Sequence, residues 1–180
     1  MTTPQPADTS YAVFLRAINT GNRRVRMHDL RDAFSAAGFA DVDTYLASGN
    51  VILRSPDRPS RHALEAVVRD RFGFESEAFV RSSGEMREIV AACPWNGDGV
   101  LVEVSFLDSH PDPEAAGALE ATVAPPEGLV VSGTEVFFLR EGKGIETTHK
   151  ESTTERLLGM RTTRRGMATV RALDQRFVRR

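Results

Sequence analysis

The sequence contains almost no cysteine and no long hydrophobic run. Cys93 is the only cysteine among 180 residues, which excludes an internal disulfide and a metal site made of several cysteines. A reducing cytoplasm is the simplest location for such a chain. No stretch of about 18 apolar residues occurs, so we expect no membrane-spanning helix and no membrane partner.

Recognisable catalytic motifs are missing as well. The chain has no G-x-S-x-G, no H-E-x-x-H and no G-x-x-x-x-G-K-[ST] phosphate-binding loop. Its four histidines are scattered, without the spacing that brings several ligands to one metal. The sequence therefore predicts no metal and no cofactor, and it leaves open whether the protein is an enzyme.

Lysine is scarce, because 21 of the 23 basic residues are arginine. The net charge of -2 hides two basic segments around an acidic one. Residues 11–31 carry five arginines and one aspartate, residues 82–149 carry twelve acids and three bases, and residues 153–180 carry eight arginines and two acids. Such asymmetry attracts anionic ligands, but it also lets segments of one chain attract each other. The sequence does not decide between the two.

The hydrophobic pattern of the first half predicts the element order βαββαβ. Short β-prone runs alternate with two amphipathic helices, each followed by a glycine. The predicted elements are a strand at 11–15, a helix at 27–37, a hairpin of strands at 42–46 and 50–54, a helix at 63–72 and a strand at 77–81. This order is the ferredoxin-like split pattern.

The second half repeats that order after a linking helix. A capping box formed by Ser82 and Glu85 opens the linking helix, and a second box is formed by Ser152 and Glu155. The other predicted elements are a strand at 100–107, a helix from 112, a hairpin of strands at 129–131 and 136–139, a strand at 160–163 and a helix at 167–177. We expect an α+β fold of two ferredoxin-like βαββαβ halves in tandem, with a C-terminal helix.

The predicted domain organisation has four parts. Residues 1–10 form a flexible N-terminus, 11–81 the N-terminal ferredoxin-like half, 82–98 the linking helix and loop, and 99–180 the C-terminal ferredoxin-like half with the C-terminal helix. Ferredoxin-like sheets have an open face that often pairs, so monomer and homodimer both stay open. The arginine-rich C-terminal helix is predicted to pack on the protein rather than to bind nucleic acid.

Basic and polar side chains are predicted to converge at one edge of the first sheet. Strands one and three of a split βαββαβ unit pair antiparallel, so Arg16 comes beside Asn50. The same edge gathers Asn19, Arg23, Arg24, Ser48 and Gly49. Fixed amide, hydroxyl and guanidinium donors are what phosphate and carboxylate ligands need. The structural alternative is that Asn and Ser cap turns while Arg16 pairs with an acid.

Lys150 is a second candidate for binding an anion, because it precedes a predicted helix start. The alternative is an ordinary surface lysine.

Two stretches resemble a known family. LRAINTGNRRVRM, followed by a helix and TYLASGNVIL, is similar to the opening of the domain-of-unknown-function family 1697 of small bacterial proteins. The residues that match are Arg16, Asn19, Gly21, Met27, Leu30, Ser48, Gly49 and Asn50, whereas Ala17 and Asn22 replace glycines. In the tail, the matching residues are Arg165, Thr169, Val170 and Leu173, and Gly166, Met167 and Ala172 replace the family's Asn, Trp and Lys. The resemblance implies an α+β protein of two related halves, adds Arg165 as a candidate ligand-binding residue and implies no reaction.

Three functions are compatible with these features. The first is a binding module for an anionic small molecule, a nucleotide or RNA phosphate at the edge that holds Arg16, Asn19 and Asn50. The second is a small enzyme acting on a phosphorylated or carboxylated substrate, which needs a general base that the sequence does not show. The third is a structural or protein-interaction module without a ligand.

Overall fold

The computed structural model describes residues 9–97, 99–140 and 149–178. Residues 1–8 of the predicted N-terminal segment lie outside this range. The elements in chain order are β1 (Thr9–Leu15), α1 (Met27–Ala36), β2 (Ala40–Tyr45), β3 (Asn50–Ser55), α2 (Arg61–Phe72), β4 (Ala78–Ser82), α3 (Ser83–Ala92), β5 (Leu101–Phe106), α4 (Pro113–Glu120), β6 (Gly128–Ser132), β7 (Glu135–Arg140), α5 (Glu151–Leu158), β8 (Thr163–Gly166) and α6 (Met167–Val178). The α+β class, the two βαββαβ halves and the C-terminal helix are confirmed.

The chain forms two compact units. The first unit contains the described residues up to Met86 and those from Gln175 onward, and the second contains Arg87–Asp174. The predicted linking helix corresponds to α3, inside which the first boundary falls. We propose that the chain is organised in the four parts predicted above, 1–10, 11–81, 82–98 and 99–180. None of the helices in the described ranges has the length and apolar character needed to cross a membrane.

The first unit is built around β1. Its sheet has the order β2-β3-β1-β4, and every pairing is antiparallel. Val13 and Leu15 of β1 join a core to which α1 contributes Leu30 and α2 contributes Leu64. Burial of these apolar side chains is the main stabilising contribution of the unit. The other face of the sheet is also buried, since Phe14 is 0% exposed.

The second unit repeats this plan in the order and pairing of its strands. Its sheet has the order β6-β7-β5-β8, again antiparallel throughout. Asn50 lies opposite Phe14 in the first sheet, and Glu135 lies opposite Phe106 in the second. The N–H of Leu15 donates to the Gly49 carbonyl at 2.8 Å, and the N–H of Leu107 donates to the Thr134 carbonyl at the same distance. Positions of the two halves can therefore be equated, as a tandem duplication requires.

The first predicted capping box is confirmed, and the second is wrong. The Glu85 carboxylate accepts from the Ser82 N–H at 2.6 Å, and the Ser82 hydroxyl accepts from the Glu85 N–H at 3.2 Å. Helix α5 instead begins at Glu151, with Lys150 as its N-cap. The Glu155 carboxylate accepts from the N–H of Thr162 at 3.0 Å, so it binds the segment that follows the helix. The strand predicted at 160–163 is displaced accordingly and forms at Thr163–Gly166.

Candidate functional site

The candidate site lies where β1 ends. Because Phe14 pairs with Asn50, the chain beyond Leu15 leaves the sheet beside the start of β3. The N–H of Arg16 donates to the Glu77 carbonyl at 2.9 Å, and the hydroxyl of Ser76 donates to the carbonyl of Arg16 at 2.7 Å. We call this region the first-unit rim; it comprises Arg16, Asn19, Arg23, Arg24, Ser48, Gly49 and Asn50. The pairing thus brings together the residues that topology places at this edge.

Asn19 connects two loops of the first-unit rim. Its amide Nδ2 donates to the carbonyls of Val25 at 3.0 Å and Ala47 at 2.8 Å. Its Oδ1 accepts from the Val25 N–H at 2.6 Å. The side chain therefore fixes the loop after β1 to the hairpin between β2 and β3. With both amide protons donated to the backbone, Asn19 shapes the rim instead of offering donors to a ligand.

Asn50 and Gly49 are buried in the hairpin. The Asn50 amide donates to the Tyr45 carbonyl at 2.7 Å and to the Ser48 hydroxyl at 3.0 Å, and its side chain is inaccessible to solvent. Gly49 has φ +81°, and a Cβ at this position would come within 2.6 Å of the Ile18 side chain. Both residues hold the tight turn that the hairpin needs.

Two rim arginines contact the first unit itself. Arg16 forms a long ion pair with Glu77, with 3.7 Å between Nη1 and the carboxylate oxygen. Arg23 donates from Nη1 to the Ala17 carbonyl at 3.2 Å, and its guanidinium lies 4.4 Å from the centre of the Phe74 ring. Stacking on an aromatic face orients the Arg23 guanidinium and leaves its charge in place. Arg23 therefore contributes positive potential to the rim, whereas the Glu77 carboxylate partly offsets the charge of Arg16.

Arg24 is the exposed cation of the rim. Its Nη1 donates to the carbonyls of Gly21 at 2.9 Å and Arg23 at 2.7 Å. Among the residues that the structure describes, no acceptor lies on its Nε and Nη2. These two atoms form the edge of a guanidinium that binds a carboxylate or phosphate in a bidentate manner. The backbone therefore holds Arg24 with its anion-binding edge available.

An open depression of about 380 Å³ lies beside Arg24. Its lining residues are Asn19, Arg24, Val25, Arg26 and Ala47. Arg26 donates from Nε to Asp29 at 2.8 Å, and this hydrogen bond lowers the pKa of the Asp29 carboxyl below its ordinary value. The lining contains no carboxylate, histidine or thiol, so it offers charge and donors but no general base.

Lys150 and Arg165 belong to the second unit. Lys150 is exposed at the N-cap position of α5, and its side chain makes no capping hydrogen bond to that helix. Arg165 is buried in β8 and donates from Nη1 to the Thr163 hydroxyl at 2.9 Å and to the Arg164 carbonyl at 2.7 Å. Burial lowers the pKa of Arg165 to about 10, although the Glu151 carboxylate opposes the shift. Arg165 thus has the environment of an internal structural residue.

Arg26 and Ala47 belong to the site, but sequence reasoning missed them. The +4 charge of residues 11–31 already included Arg26, whereas nothing in the sequence marks the carbonyl of Ala47 as the acceptor for Asn19. Phe74 was missed as well, because its contact with Arg23 joins residues 51 positions apart. In the parts of the chain that the structure describes, no group of three potential ligands could hold a metal ion.

The fold defines this chain as an α+β protein made of two βαββαβ units. Its sequence matches a family profile described as "Protein of unknown function (DUF1697)" over residues 9–137, and the chain belongs to that family. The solved structure of conserved bacterial protein SP0830 from Streptococcus pneumoniae is similar to it, with a TM-score of 0.74 and 22% sequence identity. The match covers 94% of this chain and 98% of that one, and it shows a shared fold. No curated protein matches the sequence.

Proposed function

We propose that the protein binds the phosphate group of an anionic small molecule or nucleotide in the depression of the first-unit rim. The observation that carries this proposal is the state of Arg24: it is exposed, its Nη1 is held by two carbonyls, and its Nε–Nη2 edge has no acceptor among the described residues. A guanidinium held in this way loses little conformational entropy when it binds a phosphate.

The electrostatics of the rim support an anion over a cation. Arg16 and Arg23 lie on the same loop as Arg24, and Arg26 lines the depression with it. The opposing carboxylates are those of Glu77 and Asp29, which contact Arg16 and Arg26. Arg23 and Arg24 contact backbone carbonyls and an aromatic ring, so their charges leave the loop electropositive, which concentrates anions near it.

The lining supports binding over catalysis. The enzyme hypothesis requires a general base or nucleophile close to the bound anion, and none lines the depression. The RNA hypothesis requires aromatic faces for base stacking, but the lining of the depression contains no aromatic residue, and Arg23 stacks on one face of the Phe74 ring. A small phosphate-bearing ligand fits the rim better than either.

The proposal is tested by isothermal titration with inorganic pyrophosphate and a panel of nucleoside monophosphates. Replacing Arg24 with Ala removes the bidentate contact, and we expect the dissociation constant of the best probe to rise about tenfold or more. Arg31→Ala is the matched control, because Arg31 is exposed on α1 and its guanidinium contacts Asp32. This variant is expected to bind the probe as the unmodified chain does.

Absence of binding for every probe would overturn the proposal and favour the structural or protein-interaction module. Equal losses in Arg24→Ala and Arg31→Ala would also contradict it, because they would show a general effect of charge without a site.

A further inference from the structure

The second unit contains a partly open cavity, lined by other residues than the depression described above. It has a volume of about 190 Å³ and lies at the end of the second sheet where β5 begins and β7 and β8 finish. Its lining includes Trp95, Asn96, Glu103, Arg140, Gly166 and Arg171. Ligand pockets for drug-sized molecules usually measure about 300–1,000 Å³, so this cavity suits a smaller molecule, of the size of one ring with a substituent.

The matching strand pairings of the two units identify the corresponding place in the first unit. There, Glu85 in the first turn of α3 accepts from the N–H of Ser82 at 2.6 Å and from Nη1 of Arg58 at 2.7 Å. Burial alone would raise the pKa of Glu85, but the hydrogen bonds from Arg58 and Ser82 outweigh it and lower the pKa. The first unit thus fills the place between a strand end, a helix start and an arginine with its own carboxylate.

The second unit lacks that carboxylate. Tyr11 and Glu103 are counterparts, because they lie three residues before Phe14 and Phe106. Tyr11 pairs with Ser82 and Glu103 pairs with Gly166, so Gly166 is the counterpart of Ser82. Thr169 follows Gly166 by three residues, as Glu85 follows Ser82, so Thr169 is the counterpart of Glu85. No acidic residue occupies the first turn of α6, and Gly166 has no side chain that could replace the Ser82 hydroxyl. The capping box is absent at the wall of the cavity.

Cationic and donor groups nevertheless remain around the cavity. Arg171 is held by a hydrogen bond from Nη2 to the Asn96 side-chain oxygen at 2.7 Å. Arg140 lines the same space, and its Nη1 donates to Glu103 at 3.2 Å. Glu103 also accepts from Arg164 at 3.2 Å, so this carboxylate is matched by two guanidinium groups. Among the lining residues that the structure describes, two guanidinium groups accompany one carboxylate.

Trp95 gives the cavity an aromatic wall. A Cβ on Gly128 would come within 2.5 Å of the indole, so the ring packs directly on the Gly128 backbone. Its loop is fixed by the Asn96 side chain, which donates to the Cys93 carbonyl at 3.2 Å. An indole supported from one side presents a rigid apolar surface to a flat ligand.

We infer that the second unit binds a small aromatic carboxylate in this cavity. The ligand carboxylate takes the place that Glu85 fills in the first unit, near the Gly166 amide and Arg171, and its ring lies against Trp95. This inference is independent of the phosphate site proposed for the first unit, because every residue named for the cavity belongs to the second unit.

The test uses benzoate as the probe and the fluorescence of Trp95, the only tryptophan in the sequence, as the signal. We expect a saturable change with benzoate, and dissociation constants at least about tenfold larger for acetate, which lacks the ring, and for benzyl alcohol, which lacks the charge. A response to benzoate that is linear in concentration, or an affinity for benzyl alcohol equal to that for benzoate, overturns the inference.

Thr169→Glu restores the missing carboxylate and is expected to abolish the saturable response by occupying the site from within. Thr169→Gln is the matched control, because it has the same shape without the charge, and it should bind benzoate within about threefold of the unmodified chain. Arg171→Ala provides a second variant, with about tenfold weaker binding expected and far-UV circular dichroism as the check of folding. Undiminished benzoate binding in both Thr169→Glu and Arg171→Ala overturns the inference.

Discussion

At the scale of single residues, the first-unit rim depends on an asparagine that bonds only to backbone groups. Asn19 donates to the carbonyls of Val25 and Ala47 and accepts from the N–H of Val25. Val25 is buried, so the loss of the Asn19 side chain leaves the N–H and carbonyl of Val25 without these partners in a place that water reaches poorly. The asparagine therefore affects the proposed phosphate site through the shape of the loop.

Replacing Asn19 with Ala is expected to lower the free energy of unfolding by about 2 kcal/mol, because hydrogen bonds to a partly buried backbone are lost. Asn22→Ala, in the same loop and exposed, should change it by less than about 0.5 kcal/mol. Urea denaturation monitored by circular dichroism measures both values. Equal effects of the two substitutions would contradict the role assigned to Asn19.

At the scale of secondary-structure elements, the two hairpins of the halves use glycine in different ways. Gly49 and Gly133 both have positive φ, at +81° and +62°. A Cβ at Gly49 meets Ile18 at 2.6 Å, whereas the nearest atoms to a Cβ at Gly133 are 3.8 Å away. The hairpin of the first unit therefore needs glycine for both backbone conformation and space, and that of the second unit needs it for conformation alone.

Gly133→Ala is expected to cost about 1–2 kcal/mol of stability from left-handed backbone strain. Gly49→Ala adds overpacking against Ile18 and is expected to cost about 3 kcal/mol or more. Thermal and urea denaturation of the two variants compares them directly. A Gly49→Ala variant as stable as Gly133→Ala would show that the Ile18 side chain moves aside at little cost.

The elements show how far the sequence predicts this fold. Glycine at 73 and the Asp112–Pro113 pair end and start helices where expected, because these signals act through neighbouring backbone atoms. Ser152 and Glu155 have the same pattern as Ser82 and Glu85, yet α5 begins two residues earlier than this pattern predicts, with Lys150 as its N-cap. The Glu155 carboxylate accepts from the N–H of Thr162 instead. The contact of Arg23 with Phe74 depends on tertiary packing and has no local signal.

At the scale of the whole molecule, the two βαββαβ units have similar side chains at some equivalent positions and different ones at others. Arg81 and Arg165 occupy equivalent strand positions, are 5% and 8% exposed, and each donates to the carbonyl of the preceding residue. The charged first turn of α3 has no equivalent in α6. The chain passes from one unit to the other inside these two helices, so neither unit ends in a loop at those points.

Because continuous helices carry the chain across both unit boundaries, we expect the protein to unfold in one cooperative transition. Trp95 fluorescence reports on the second unit, and far-UV circular dichroism reports on all helices and strands. The two signals should give the same urea midpoint. Two separate midpoints would contradict this expectation, because they would show that the two units unfold independently.

The lone thiol has a practical consequence for experiments on this molecule. Cys93 is 4% exposed, and its sulfur donates to the carbonyl of Trp95 at 3.2 Å. A maleimide dye should therefore leave the native chain unlabelled under folding conditions. A cysteine introduced at Leu46, which is 52% exposed next to Ala47, would place one dye beside the first-unit depression without removal of the natural cysteine.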